Sequence, residues 1–547
     1  MKKKLFLYAG GFAMMMNACQ TPQKPLTSSD QQLPEKVEEF VAVELTADLS
    51  SLSENELKMM PLLFKAGQIM DDLFWKQTWG NKEELLNNAK DAALRQFLMI
   101  NYGPWERLNG NQSFVDGVGA KPAGAQFYPA DMTKEEFEAL ADDRKNSQYT
   151  VLVRDEQNNL KVVPYSEYYK TELTEVAGLL RQASALAEDE GLRNYLALRA
   201  DDLLRDNYFE SDMAWMSMKN NNIDFVVGPI ENYEDQLFGT KTSFESYILI
   251  KDKTWSDRLS RFALLLPALQ QSLPVAAEYK VEVPGSDSDL GAYDVVFYGG
   301  DCNSGSKTIA INLPNDPEVH LQKGSRKLQL KNTMKAKFDN ILLPISQVVI
   351  DSSQQQFVKF DAFFENVMFH EVAHGLGIKN TINGKGGVRE NMKELGTSIE
   401  EAKADILGLY MVNELSKMGE LGEKDMRENY VTFMAGIFRS VRFGAASAHG
   451  KANMMCFNFF REKGAFSVNA ETGRYLVDFD KMALAMNELS ALILTMQGDG
   501  DYDKAKVYMS RLSVIDADLQ NDLDKISEAG IPRDLVFNQG AEVLGLQ

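Results

Sequence analysis

Cysteine, histidine and net positive charge are all scarce in this chain, and each shortage removes a class of explanation. Three cysteines in 547 residues, Cys19, Cys302 and Cys456, build no disulfide framework, so the core must carry the stability. The formal charge is -21, from 58 Lys and Arg against 79 Asp and Glu. Such a surface repels phosphate backbones, and nucleic acid is not an expected partner. After the first residues no apolar stretch is long enough to span a bilayer. No internal repeat is present. Only four histidines occur, so where they fall is informative.

What is present is ordinary globular material, 44% hydrophobic and 25% charged, and the length favours two lobes over one. The first residues speak to the compartment. Lys2, Lys3 and Lys4 form a basic start, Leu5 to Met16 an apolar run, and Ala18 stands directly before Cys19. This is similar to a bacterial lipoprotein signal, with residues 1–18 removed, Cys19 acylated and residues 19–36, rich in Pro, Gln and Ser, as a flexible tether. The expected location is the cell envelope, periplasmic or outer-membrane, with the lipid as the sole membrane contact. Met16 and Asn17 depart from the usual pattern, which leaves simple secretion as the alternative.

Apolar spacing predicts helices through Pro34 to Asn101, a hairpin in YTVLVRDEQNNLKVVPYS, helices from Ser166 to Asp206, and strands in DFVVGPIENYEDQLFG, FESYILI and TIAINLP. Thr254 to Ala277 reads as a helix. From Phe357 onward the pattern is almost wholly helical, apart from the loop Gly384 to Gly396 and a hairpin near Phe466 to Val477. The fold class is α+β, predominantly helical, a mixed lobe followed by a helical one.

The helical lobe holds FFENVMFHEVAHGLGIKN. Residues four apart share a helix face, so His370 and His374 can direct ring nitrogens at one ion, with Glu371 one step round. Zinc suits that pair, because it takes imidazole nitrogens near-tetrahedrally and keeps a position open in catalytic sites. With four histidines, a chance HExxH is expected on the order of a few thousandths of a time per chain. The bland alternative is a helix with two packed core histidines.

Downstream, GTSIEEAKADILGLYMVNEL has helical spacing, with Ser398 as its expected N-cap. Glu401 and Asp405 lie four apart on one face. The arrangement makes Glu401 the third metal ligand, while Asp405 and Glu400 each receive the free N–H of a ligand histidine and fix its tautomer. Glu371 is then placed to take a proton from water and pass it to a leaving amine.

Taken in order, YGPW, GPIENYEDQLFG, INLPN, HEVAHGLG, EEAKAD and AHGKAN resemble the M49 family of metallopeptidases, the dipeptidyl peptidase III type, from about Asn101 nearly to the C-terminus. One departure is plain: most members have three residues between the glutamate and the second histidine, and this chain has two. The resemblance implies one zinc ion per chain, a monomer, and a cleft between two lobes. It places a mixed substrate-binding lobe with a small β-barrel-like sheet at 37–250 plus 296–341, and the helical zinc lobe at 251–295 plus 342–547. It implies that Tyr233 donates its hydroxyl to the developing oxyanion and that His449 faces the metal. Glu231 and Glu245 match carboxylates near a peptide's free amino terminus, and Asn312 and Asn315 match asparagines that hold its main chain. A buried ammonium needs such oxygens, and clamping it sets how far along the peptide the cut falls. Asn453 stands where the family pattern has an arginine on the substrate's C-terminal side, and His320 matches no motif.

The expected activity is release of dipeptides from the amino ends of short peptides. The alternatives are a zinc hydrolase of the same fold with another specificity, and a peptide-binding lipoprotein without turnover, which would have no need of Glu371.

Overall fold

The computed structural model describes residues 25–282 and 289–546. The signal segment, Cys19 and the tether to residue 24 lie outside the described residues. From Pro25 on, the expected tether is part of the fold. Leu26 N donates to Asn88 O at 2.9 Å and Asp116 N to Thr27 O at 2.9 Å. Leu33 and Val37, in the short helix Leu33–Glu38, are buried in a cluster with Phe97, Leu98 and Phe114. The polar composition that suggested free chain is interrupted by Leu26, which packs against that cluster, and by Leu33, which is buried in it, and these contacts fix the segment.

Five strands form the main sheet: β1 (Ile223–Glu231), β2 (Ser243–Asp252), β3 (Asp289–Gly300), β4 (Ala310–Leu313) and β5 (Arg326–Leu330). Their order is β1-β2-β3-β5-β4, antiparallel except for the parallel β3/β5 pair. The expected barrel-like sheet is open, and no closed barrel occurs among the described residues. Strand β4 is only four residues long and pairs with β5 alone. The two edge strands approach at one corner, where Asn315 Nδ2, two residues past β4, donates to Ile230 O near the end of β1 at 3.2 Å.

Helix α1 (Glu54–Thr78) starts at a capping box, Ser53 with Glu56, and buries Met59, Met60, Leu63, Ala66, Met70, Leu73 and Phe74. It lies so close on β2 and β3 that a Cβ at Gly67 would meet Phe297 at 2.7 Å. This explains why β1 and β2 are buried along nearly their whole length rather than alternating.

The helical lobe is built around α2 (Lys253–Ser272), α3 (Phe360–Ala373), α4 (Gly396–Lys417), α5 (Ala448–Glu462) and α6 (Phe479–Asp499). Trp255 and Phe262 of α2 pack edge-on against Phe364 and tilted against Phe369 of α3, with centroids 4.8 and 5.3 Å apart. Helix α4 is the core of the lobe, buried on most faces and packed against α3, α5 and α6. It begins two residues before the expected cap. Ser398 lies inside its first turn, because the 3-10 turn Lys393–Leu395 runs straight into the helix.

Two lobe boundaries differ from the expected ones. Strand β3 starts at Asp289, inside the stretch assigned to the helical lobe, and Asp534–Asn538 crosses back to pair in parallel with Phe40–Glu44. Both follow from strand pairing between distant segments. One continuous apolar core runs through both lobes. Cys302 and Cys456 are free and buried. No helix among the described residues is long and apolar enough to cross a membrane.

Candidate metal centre

Helix α3 ends at His374, its C-cap, and the turn that follows is held from two sides. Gln270 of α2 donates Nε2 to Gly377 O and accepts from Gly377 N, both at 2.9 Å. Lys403 of α4 donates to Leu376 O at 2.9 Å, placing a cation on the last carbonyls of the histidine helix. Close contact of α3 and α4 is made possible by Gly408, where a Cβ would stand 2.8 Å from His370 N.

That approach brings the donors together. Glu401 Oε2 lies 3.2 Å from His370 Nε2 and 3.8 Å from His374 Nε2, with His449 Nδ1 at 3.1 Å from the same oxygen. His370, Glu401 and His449 form a metal-capable group with donor atoms all within 4.8 Å of one another. His370 Nδ1 meets Asp405 Oδ1 at 2.7 Å and His374 Nδ1 meets Glu400 Oε1 at 3.0 Å. Asp405 is held in turn by Asn453 Nδ2 at 2.9 Å, and Glu400 by Gln497 Nε2 at 3.3 Å. Asn453 therefore braces the carboxylate behind His370.

The electrostatics call for a cation. Burial works against charge on His370, yet Asp405, Glu401 and Glu371 override it and raise its pKa to about 10. Burial pulls Glu400 upward, but His374 and Lys403 bring it down to about 2. Glu401 is held well below the usual carboxylate range by His370 and His449 despite its own burial, and Glu401 raises His449.

The residues fit a zinc ion. Donors about 2.0–2.2 Å from a tetrahedral centre lie roughly 3.3 Å from one another, and the separations of 3.2 and 3.8 Å bracket that value. Glu401 Oε2 is buried and faces imidazole nitrogens of His370, His374 and His449, a donor set that an ion would share. His370 and His374 each have Nδ1 on a carboxylate, which leaves Nε2 for the metal; His449 turns Nδ1 to Glu401 itself and is 65% exposed.

A second group of residues lies on the sheet. Glu245, on β2 and 2% exposed, and Glu231, at the end of β1, both have raised pKa values through burial first. For Glu245 the next causes are Asp301 and Glu231. Asp301, just after β3, is pushed up to about 7 by burial and by Glu234. Asn315 Nδ2 lies 3.4 Å from Glu231 Oε1. Tyr233 is 74% exposed; its pKa is raised by Glu231 first and it makes no hydrogen bond to the metal centre among the described residues. Asp301 carries no motif of its own, and only the fold reveals it. His320 meets Pro314 O and belongs to neither group.

The two groups are joined through Lys327 of β5. It pairs across the ladder with exposed Asn312 of β4, and its ammonium donates to the main-chain oxygen of Glu371. Burial lowers the pKa of Lys327 while the Glu371 carboxylate raises it.

Residues 130–386 match Peptidase family M49, a span that includes HEVAH and stops short of Glu401. Nudix hydrolase 3 of Arabidopsis thaliana is 32% identical over 96% of this chain and 76% of its own length. The structure of DPP III from Caldithrix abyssi is 37% identical, covers 93% of this chain and 99% of its own, and superposes with a TM-score of 0.88. That of dipeptidyl-peptidase III from Corallococcus sp. strain EGB gives 33%, 92%, 96% and 0.77. The family match and these two structures on the same fold make the chain a metallopeptidase. The chain belongs to Peptidase family M49.

Proposed function

We propose that this protein releases dipeptides from the amino ends of short peptides, with His370, His374 and Glu401 holding one zinc ion and Glu371 as general base. The observation that carries the reading is the convergence of both Nε2 atoms on one buried Glu401 oxygen while both Nδ1 atoms rest on carboxylates. The ion supplies Lewis acidity at the scissile carbonyl and water.

The chain's own residues do the rest. Glu371 takes a proton from the attacking water and returns it to the leaving amine. Glu231, Glu245 and Asp301 bind the peptide ammonium, Asn312 and Asn315 hold its main chain, and this fixes the cut two residues in. His449 and the Tyr233 hydroxyl stabilise the developing oxyanion. The solved relatives titled dipeptidyl-peptidase III support dipeptide release. Acylation of Cys19 anchors the protein in the bacterial envelope, with peptide scavenging as its role there.

Protein purified without added metal is analysed for zinc and given a defined octapeptide, with product masses read by mass spectrometry. One zinc per chain and a dipeptide as first product are expected; internal fragments would overturn the exopeptidase reading. Glu371→Ala is expected to keep its zinc and lose at least about a hundredfold in kcat. Full activity in that variant would remove Glu371 from the chemistry.

A further inference from the structure

On the His374 side of the metal centre lies a pocket of about 370 Å³, lined by His374 and Glu401 and also by Lys379, Arg389, Lys403 and Gln497. Its charges do not balance. Lys403 is paired with Glu400 at 2.7 Å, and Glu401 is committed to the imidazoles. Lys379 and Arg389 are exposed, and among the described residues neither forms an ion pair with a carboxylate. Two uncompensated cations thus stand beside the reacting centre of a chain whose net charge is -21.

Gln497 adds a directional group. It is 1% exposed and donates Nε2 to Glu400, while its Oε1 is buried without a partner. A buried amide oxygen left unsatisfied needs a donor, and a peptide N–H is one. Asn453, the residue expected on the substrate side, is occupied with Asp405 and leaves anion recognition to other residues.

We propose that this pocket receives an acidic side chain from a residue flanking the cleaved bond, its carboxylate pairing with Lys379 and Arg389 while Gln497 Oε1 accepts a substrate N–H. The inference rests on the peptidase reading and adds a charge preference to it. Long-range attraction from two exposed cations, together with repulsion of basic side chains, discriminates by charge even where each ion pair alone is weak.

The test uses the full zinc-loaded protein and matched peptides that differ only at the two residues flanking the expected cut, carrying Ala, Glu or Lys. Cleavage rates are read by mass spectrometry. The Glu peptides are expected to exceed the Lys peptides in kcat/KM by about tenfold, with the ratio shrinking at high salt. In the double variant Lys379→Glu/Arg389→Glu the ratio should invert, and in Lys379→Ala/Arg389→Ala it should approach one. The ratio is immune to a general loss of activity, and zinc content reports folding of each variant. Equal rates in the unaltered protein, or a ratio that persists in both double variants, overturns the charge preference and leaves the peptidase reading standing. No cleavage of any peptide overturns both.

Discussion

Single side chains around the metal do separable jobs, and Asp405 is the clearest case. It holds His370 Nδ1 at 2.7 Å and is braced on its other oxygen by Asn453. Asp405→Asn keeps the shape and weakens the acceptor. It is expected to lower zinc affinity about 10–100-fold, measured by chelator competition. Asp301 gives a pH signature. Its folded pKa of about 7 is above that of a free aspartate, so its contribution to stability is present below the unfolded value and is lost as pH rises through about 7. Over the same range it gains the charge that binds an ammonium. Asp301→Asn is therefore expected to raise the melting temperature above pH 7, to raise KM, and to remove the fall of KM between about pH 6 and 8. An unchanged KM profile would take Asp301 out of the clamp. The histidine pair and Glu400, Glu401 and Asp405 were legible in the sequence because helix periodicity places them. Asp301, Lys327 and the bracing role of Asn453 were not, since each acts across segments far apart in the chain.

At the scale of elements, the centre depends on how closely two helices approach. Gly408 permits the contact of α3 and α4, and any Cβ there would collide with the backbone at His370. Gly408→Ala is expected to cost about 1–3 kcal/mol and to push Glu401 away from the imidazoles, seen as a lower melting temperature together with weaker zinc binding. Gly178, in the helix Lys170–Leu186 with nothing within 4 Å, is the control, and alanine there should stabilise by about 0.5–1 kcal/mol. Equal effects at both positions would mean that helix propensity, not close packing, sets the outcome. Helices with strong apolar spacing, such as α1, could be read directly. Strands β3 and β5 could not, because what defines them is a partner in space, and Ser398 misled because a preceding turn supplied the start of α4 without a side-chain cap.

Across the whole molecule, the two ends of the fold meet. Phe40–Glu44 and Asp534–Asn538 form a two-stranded parallel pair, with Leu535 fully buried and Asp534 taking Lys337 Nζ at 3.1 Å and Ser306 Oγ at 2.6 Å. Truncation after Arg533 removes Leu535 and Phe537, worth about 1.5–3 kcal/mol each, and leaves Lys337 buried without its carboxylate. The truncated protein is expected to melt at a markedly lower temperature and to lose peptide hydrolysis, although no residue of the metal centre is touched. A tail that came away without thermal effect would show the pairing to be incidental. Nothing in residues 34–101 or the last thirty signals this pairing, because neither strand is stable until the other arrives.

Parallel alignment sets the start of one terminal strand beside the start of the other, so Phe40 and Asn538 are separated by one strand length, about 14 Å. A linker of some six to eight residues would span that gap. Segments from opposite ends of the described residues are thus held within one strand length of each other.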